Sequence, residues 1–439
     1  MMAERVVIHL TYGRGVVKDS RNKGFWLLVE FADGANRWVR VNEVAAEAPR
    51  DALRRPTPLV NSGREFTARR IIEALRLGVV PYDHIDELTF GREAECRQLL
   101  EWLGDTTRRP FLVIGHYGAG KTHLLSWLYG RALQDNWAVA MVEIDPGESP
   151  FHKPKRVYSR LVRSFGYREP NSGMAKGFRE FLRAAFRRGG LRDHKYFTHL
   201  HSSSDERLWE WIHAAEAAPR PIEWTLGTWG YFENRYRYLP GLFDYSTAAN
   251  IYTYLISGLS WAAKRLVGLR GLLLLFDEAE WIDSTTYGYQ LKKGHNFLRA
   301  LIRAAAGDQE LCGHPTATGL EYCGVGDARN TPFTYQRHTG LKLCLALTPF
   351  TAWEGLQTLL GLRQQLDTCA LSLDPLGPQA LRDTFRRIVD LYQQAYEWTP
   401  NNVDVREVLD AVNKLDGVTR CFVKGCVELL DLKRLSRVP

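Results

Sequence analysis

Three stretches of this chain are apolar at every position and then stop abruptly: "FLVI" before Gly115, "LLLLF" before Asp277, and "LCLAL" before Thr348. Together with "WAVAMVEID" they read as strands covered on both faces, because a strand with no polar side has no solvent side. Between them the apolar positions recur every three to four residues. This is so in "REFTARRIIEALRLGVV" from Arg64, in "REAECRQLLEWLG" after Gly91 and in "HLLSWLYGRALQ" after Thr122, and that period predicts helices. Strand, loop, helix and strand at this spacing predict an α/β fold around a parallel sheet. Residues 5–45 differ: "VVIHL", "RGVVKD", "FWLLVEFAD" and "ANRWVRV" are short β-rich runs broken by Gly13, Gly15 and Asp33-Gly34. Residues 46–63 hold no period and read as a linker.

The composition, 45% hydrophobic and 25% charged over 439 residues, is that of a folded chain with room for two or three domains. No apolar run approaches the ~20 residues that span a bilayer, and the N-terminus lacks a signal-peptide layout; the protein is expected to be cytoplasmic. Seven scattered cysteines make no disulfide framework. Cys312, His314 and Cys323 sit near one another in sequence, but their spacing matches no standard zinc knuckle, so unligated cysteines are expected. The net charge of +8 is concentrated: residues 151–200 hold thirteen Lys/Arg against three Asp/Glu, a field suited to a polyanion.

Gly115-His116-Tyr117-Gly118-Ala119-Gly120-Lys121-Thr122, followed by His123, fits G-x-x-x-x-G-K-[ST] in full. Glycines let backbone N–H groups wrap phosphates, and the helix that follows adds its dipole. Lys121 is expected on the β- and γ-phosphates and Thr122 on Mg²⁺. The run ending in Asp277 and Glu278 supplies the second half. Asp277 would complete the Mg²⁺ shell, and Glu278 would polarise the attacking water. A complete set predicts ATP hydrolysis, with Thr348 placed to sense the γ-phosphate.

In "TARRIIEALRLGVVP", "FGREAE", "GHYGAGKTHLL", "IDPGESPFHKPKRVYSRL", "DYSTAANIYTYLISGLSW" and "LLLLFDEAEWID" the chain resembles the BREX-system ATP-binding proteins of BrxD type, AAA+ P-loop ATPases in the style of the Orc/Cdc6 branch. The resemblance implies ATP and Mg²⁺ as ligands, an anti-phage defence setting and a partner helicase. It also implies a homo-oligomer in which one subunit inserts an arginine into its neighbour's site. Gly91 and Arg92, with Glu95, match a box before the P-loop that would pack the adenine and ribose together with Val79 and Val80. "DPLGPQALRDTFRRIVDLYQQAY" and "GVTRCFVKGCVELLDL" suit a helical lid, whose Arg420, beside Gly417, would touch the γ-phosphate. Arg363 is the candidate for the inserted arginine, with Arg382, Arg386 and Arg387 in competition. The first β-rich segment resembles SH3- or Tudor-like barrels. The expected domains are thus 1–48 barrel, 49–63 linker, 64–370 AAA+ core with an insertion around 170–245, and 371–439 lid. Against the Orc/Cdc6 pattern, no winged helix is expected after the lid.

Nucleic acid is the polyanion expected. Arg179, Arg183, Arg187 and Arg188 share one side of a helical pattern and Phe178, Leu182 and Phe186 another. "WTLGTWGYFENRYRYLP" then interleaves aromatics with Arg235 and Arg237. Cations release counterions from a phosphate backbone and aromatics stack on bases, so DNA binding without sequence preference is expected, double- or single-stranded. Both segments could instead simply cover the ATPase core. Two functions compete: an ATP-driven DNA-associated machine, and a nucleotide-dependent scaffold or signalling switch with little turnover.

Overall fold

Residues of a doubly covered strand must alternate between two cores, and in this computed structural model they do. It describes residues 6–9, 13–21, 26–32, 34–40, 44–46, 63–81, 84–105, 110–169, 173–201, 203–214, 239–283, 287–337, 340–349, 370–399, 403–412 and 418–436. Packing divides the chain into Met1–Phe66 and Thr67–Pro439.

In the first unit, β1 (Val6–His9), β2 (Gly13–Arg21), β3 (Trp26–Phe31), β4 (Asn36–Arg40) and β5 (Val44–Ala46) form an antiparallel sheet in the order β4-β3-β2-β1-β5. Leu27, Val29 and Phe31 alternate along β3 and bury one face with Val39. Gly34, at φ 77°, closes the turn after β3 by donating its N–H to the Phe31 carbonyl.

The second unit is built on a parallel sheet of β6 (Phe111–Ile114), β7 (Ala138–Glu143), β10 (Leu272–Asp277), β11 (Leu341–Leu347) and β12 (Ala370–Ser372), in the order β12-β6-β11-β10-β7. Two-residue β8 (Tyr167–Arg168) and β9 (Ala175–Lys176) pair separately. Leu272, Leu274 and Phe276 enter one core with Leu343 and Leu345, while Leu273 and Leu275 enter the other with Cys344 and Ala346. The second core is closed by α2 (Glu93–Gly104) and α3 (Lys121–Gln134). The first is covered by α4 (Pro154–Ser164), α5 (Phe178–Arg187), α6 (Glu206–Ile212), α7 (Ala249–Ala262) and α8 (Gly288–Ala306). This is the mixed α/β core with a central parallel sheet that was expected, with β11 inserted between the P-loop strand β6 and the acidic strand β10. All the described strand ends that carry chemistry therefore meet at one edge.

The segment expected as an insertion around 170–245 packs, where described, into the first core. Phe178, Phe181 and Leu182 of α5 and Trp209 and Trp211 of α6 share one cluster with Leu274 and Phe276. Helix α1 (Arg64–Leu77), expected in the ATPase core, packs with the C-terminal helices α9 (Pro378–Tyr396), α10 (Val405–Val412) and α11 (Val418–Leu435), the segment expected as a lid. Its stripe Ala68, Ile71, Ile72, Leu75 lies against Phe385, Ile388 and Phe422. Arg69 donates to the Ala395 carbonyl at 2.6 Å, and Arg76 is bidentate to Asp431 at 3.0 and 3.1 Å. An amphipathic period states that a helix has a partner face and leaves open which partner fills it. The linker 49–62 and the aromatic run at 224–238 lie outside the described residues.

Candidate nucleotide site

Strand β6 ends where α3 begins, and the six residues between them make a tight turn that only glycine permits at two points. Gly118 has φ 77° and Gly120, the N-cap of α3, has φ 101°, conformations that cost other residues steric strain. The turn aims the first N–H groups of α3 and its positive dipole end into the cavity above the sheet. Lys121 is 5% exposed, and its Nζ donates to the Thr348 hydroxyl at 2.7 Å and to the Gly115 carbonyl at 3.1 Å. The Thr122 hydroxyl donates to Asp277 Oδ2 at 2.6 Å. Lys121, Thr122, Asp277 and Thr348, separated by up to more than two hundred residues in sequence, are thus joined by two hydrogen bonds.

The acidic edge is denser than the sequence reading anticipated. Asp277 is buried, which raises its pKa, while the bond from Thr122 and the N–H of Glu278 pull it back down. Glu278 adopts φ 51° and ψ 36°. A non-glycine residue held in the left-handed region is strained and typical of active sites. Burial, then the charges of Glu280 and Asp277, push its carboxyl up to about 7. Across from Asp277, in register on β7, stands Glu143, whose pKa is likewise raised, by burial first and by Asp277 second. Thr122 and Asp277 offer a hydroxyl and a carboxylate side by side. This hard-oxygen set fits Mg²⁺ in company with phosphate oxygens.

The cavity, about 380 Å³, extends from this edge to the C-terminal helices α9 and α11, within the range of small-molecule sites. Its far end is apolar: Val79, Val80, Leu376, Ile388 and Val423 line it. Arg420 of α11 also reaches it; its Nη1 donates to the Tyr117 hydroxyl at 2.9 Å, and its guanidinium lies 5.7 Å above the Tyr117 ring. His123 lines the cavity with Nε2 2.9 Å from the Thr89 hydroxyl. Burial, helped by Arg92, depresses its pKa to about 4, so it is neutral at pH 7.

Several expected contacts resolve differently. Arg92, expected on the nucleotide, lines the cavity and is buried, and its guanidinium also donates to protein: Glu95 at 2.7 Å, the Ala119 carbonyl at 3.0 Å and the Asp374 carbonyl at 2.6 Å. It braces the P-loop. Gly91 packs on the lid, where an added Cβ would lie 2.4 Å from that of Ala380. His116 is exposed and, with Gly115, is outside the cavity lining. Arg363, Arg235, Arg237 and Gly417 lie outside the described residues. Glu143 and the Tyr117–Arg420 contact were not anticipated. The acid closing "AVAMVE" was the signal for Glu143, since every parallel strand here ends at the same edge.

On α5 the apolar and basic faces separate as expected, with Phe178, Leu182 and Phe186 buried. The arginines, however, are not equivalent. Arg179 is bidentate to Glu206 at 2.6 and 2.8 Å and lies 4.9 Å over the Trp209 ring, which Arg183 also covers at 5.6 Å. Arg188 donates to the Leu266 carbonyl. Arg183 and Arg187 are exposed. Other cations of the basic segment are also paired, Arg160 with Glu148 and Lys176 with Glu169. Among the described residues no group of three His, Cys, Asp or Glu could hold a metal ion; Cys323 is buried, Cys312 half-buried and His314 exposed. No described helix is long and apolar enough to cross a membrane.

Comparison with known proteins bears on the same segment. Residues 64–183, from α1 through the P-loop to α5, match the model of the family described as BREX system ATP-binding protein BrxC/D, which is the resemblance read from the sequence. No curated protein matches. Among solved structures, the Aeropyrum pernix Orc1 protein in complex with DNA aligns at 18% identity with a TM-score of 0.38, over 83% of this chain and 66% of that one.

Proposed function

We propose that this chain is an ATP-hydrolysing, DNA-associated AAA+ ATPase that serves an anti-phage defence system alongside a partner helicase. The observation that carries the reading is the convergence of Lys121, Thr122, Asp277 and Glu278 on one cavity at the sheet edge, with Thr348 joined to them through Lys121. In that reading Lys121 meets the β- and γ-phosphates, and Thr122 and Asp277 hold Mg²⁺. Bound there, Mg²⁺ would neutralise charge between those two phosphates. Glu278 takes the proton of a water as its oxygen adds to the γ-phosphorus. The bond from that phosphorus to the β,γ-bridging oxygen breaks, and ADP and phosphate leave. Thr348 orients the water, and Arg420 brings the lid's positive charge to the transferring group. The adenine packs between Val79 and Val80 on one side and Ile388 and Val423 on the other.

DNA association is supported by the exposed cations Arg183 and Arg187 on α5, a positive surface of the kind that tracks a phosphate backbone. The N-terminal sheet, as an SH3- or Tudor-like module, would choose the partner. Assembly into an oligomer with an arginine given in trans, Arg363 foremost, belongs to the same reading. The test is phosphate release by wild type and Glu278→Gln, with and without DNA. Turnover in wild type, abolished in the variant while ATP stays bound, supports the proposal. Tight ATP binding with no turnover in wild type, DNA present or not, favours a nucleotide switch instead.

A further inference from the structure

We propose that Glu143 makes nucleotide binding at this site depend on a divalent cation. The inference rests on the nucleotide reading above and concerns a residue to which that reading assigns no work. Glu143 is the last residue of β7 and pairs in register with Asp277 on β10, so the two side chains leave the same face of the sheet about 5 Å apart at the backbone. Backbone pairing continues past them, Ile144 N–H donating to the Asp277 carbonyl at 2.9 Å, which fixes both at the edge. Both line the cavity, as does Glu278. Asp277 is held by Thr122. Among the described residues no hydrogen bond or ion pair holds the Glu143 carboxylate, which is exposed and lines the cavity.

Holding Mg²⁺ needs the Thr122 and Asp277 oxygens, and activating water needs Glu278. A further carboxylate at the phosphate end performs neither task. Its effect is electrostatic: an uncomplexed triphosphate brings four negative charges toward a wall that already carries those of Glu143 and Asp277, and like charges this close repel. A divalent cation arriving with the nucleotide offsets that repulsion, so the residue penalises the bare nucleotide more than the complexed one. Selection of this kind works by a repulsive element aimed at the wrong ligand.

The experiment is titration of fluorescently labelled ATP into wild type, Glu143→Gln and Glu101→Gln at pH 8, in Mg²⁺ and in EDTA. Glu101, exposed on α2 and outside the cavity lining, controls for overall charge. The ratio of Kd in EDTA to Kd in Mg²⁺ should fall roughly three- to tenfold in Glu143→Gln through tighter binding in EDTA, and stay at the wild-type value in Glu101→Gln. An unchanged ratio in Glu143→Gln overturns the inference. So does a fall produced only by weaker binding in Mg²⁺, which would make Glu143 a metal ligand. If wild type binds under neither condition, the nucleotide reading of the site fails first.

Discussion

The Lys121 ammonium donates to the Thr348 hydroxyl at 2.7 Å, tying the loop after β6 to the tip of the neighbouring strand β11. The tie places the lysine charge at the sheet edge rather than in solvent, and it makes Thr348 a positioning residue for whatever Lys121 contacts. Thr348→Val keeps the shape and removes the hydroxyl. Its kcat for ATP should fall roughly 10- to 100-fold with KM changed far less, the pattern of an interaction realised in the transition state. A rise in KM alone, at constant kcat, would assign Thr348 to ground-state binding.

Glu278 carries a pH signature. With its carboxyl pushed up to about 7 by burial and by Glu280 and Asp277, the free enzyme holds it protonated below that value. Then kcat/KM should rise with pH through about 7 and level off above. The stability sign is the reverse. A carboxyl whose folded pKa exceeds its unfolded value binds more protons when folded, so stability is lost as pH rises from about 4.5 to about 7. Glu278→Gln should therefore be more stable than wild type at pH 8, by about 1 kcal/mol after allowing for its partial exposure, as read by urea denaturation. A variant equal to wild type at pH 8 and less stable at pH 5 would reverse this assignment.

Arg92 joins α2, the P-loop carbonyl of Ala119 and the segment after β12 through three hydrogen-bond partners. Arg92→Ala leaves the buried Ala119 carbonyl, the Asp374 carbonyl and Glu95 without their donor, at a cost of about 2 kcal/mol. Arg92→Lys should not restore it, because a single ammonium cannot span the fork. Thermal denaturation of both variants checks this. Stability equal to wild type in Arg92→Ala, with only nucleotide affinity lowered, would return Arg92 to the nucleotide-contacting role.

The basic face of α5 makes unequal predictions for neighbouring arginines. Arg183 and Arg187 are exposed, whereas Arg179 is neutralised by Glu206. Arg183→Glu combined with Arg187→Glu should weaken DNA binding and reduce the slope of log K against log salt by about 2, near 0.9 for each phosphate no longer neutralised. Arg179→Gln should change it less. An unaltered salt slope in the double variant removes this surface from consideration.

What the sequence disclosed follows from how far apart the cooperating residues lie. The P-loop is contiguous and Asp277-Glu278 closes an unbroken apolar run, so both were legible, and so were the strands that carry them. Glu143 was hidden because its significance is its register with Asp277, which pairing across the sheet decides. The protein partners of Arg92 were hidden because a buried arginine that braces a loop and one that grips a ribose look alike in sequence. Its partner at Asp374 comes from the far side of the chain. The partner of α1 was equally invisible: its stripe fits a lid helix or a sheet, and only the packing of Ile72 with Ile388 and Phe422 distinguishes them. Charge counting overstated the basic segment, since Glu206 and Glu148 pair with cations the count treated as free.

The claim underlying all of this is that Lys121 and its partners hold a triphosphate. Calorimetric titration of wild type and Lys121→Ala with ATP and Mg²⁺ tests it most directly. Wild type should bind one nucleotide per chain, and the variant should lose roughly 100-fold or more in affinity, the worth of charge-assisted bonds to phosphate. Heat of equal size and affinity in both proteins, or none in wild type, would contradict the account.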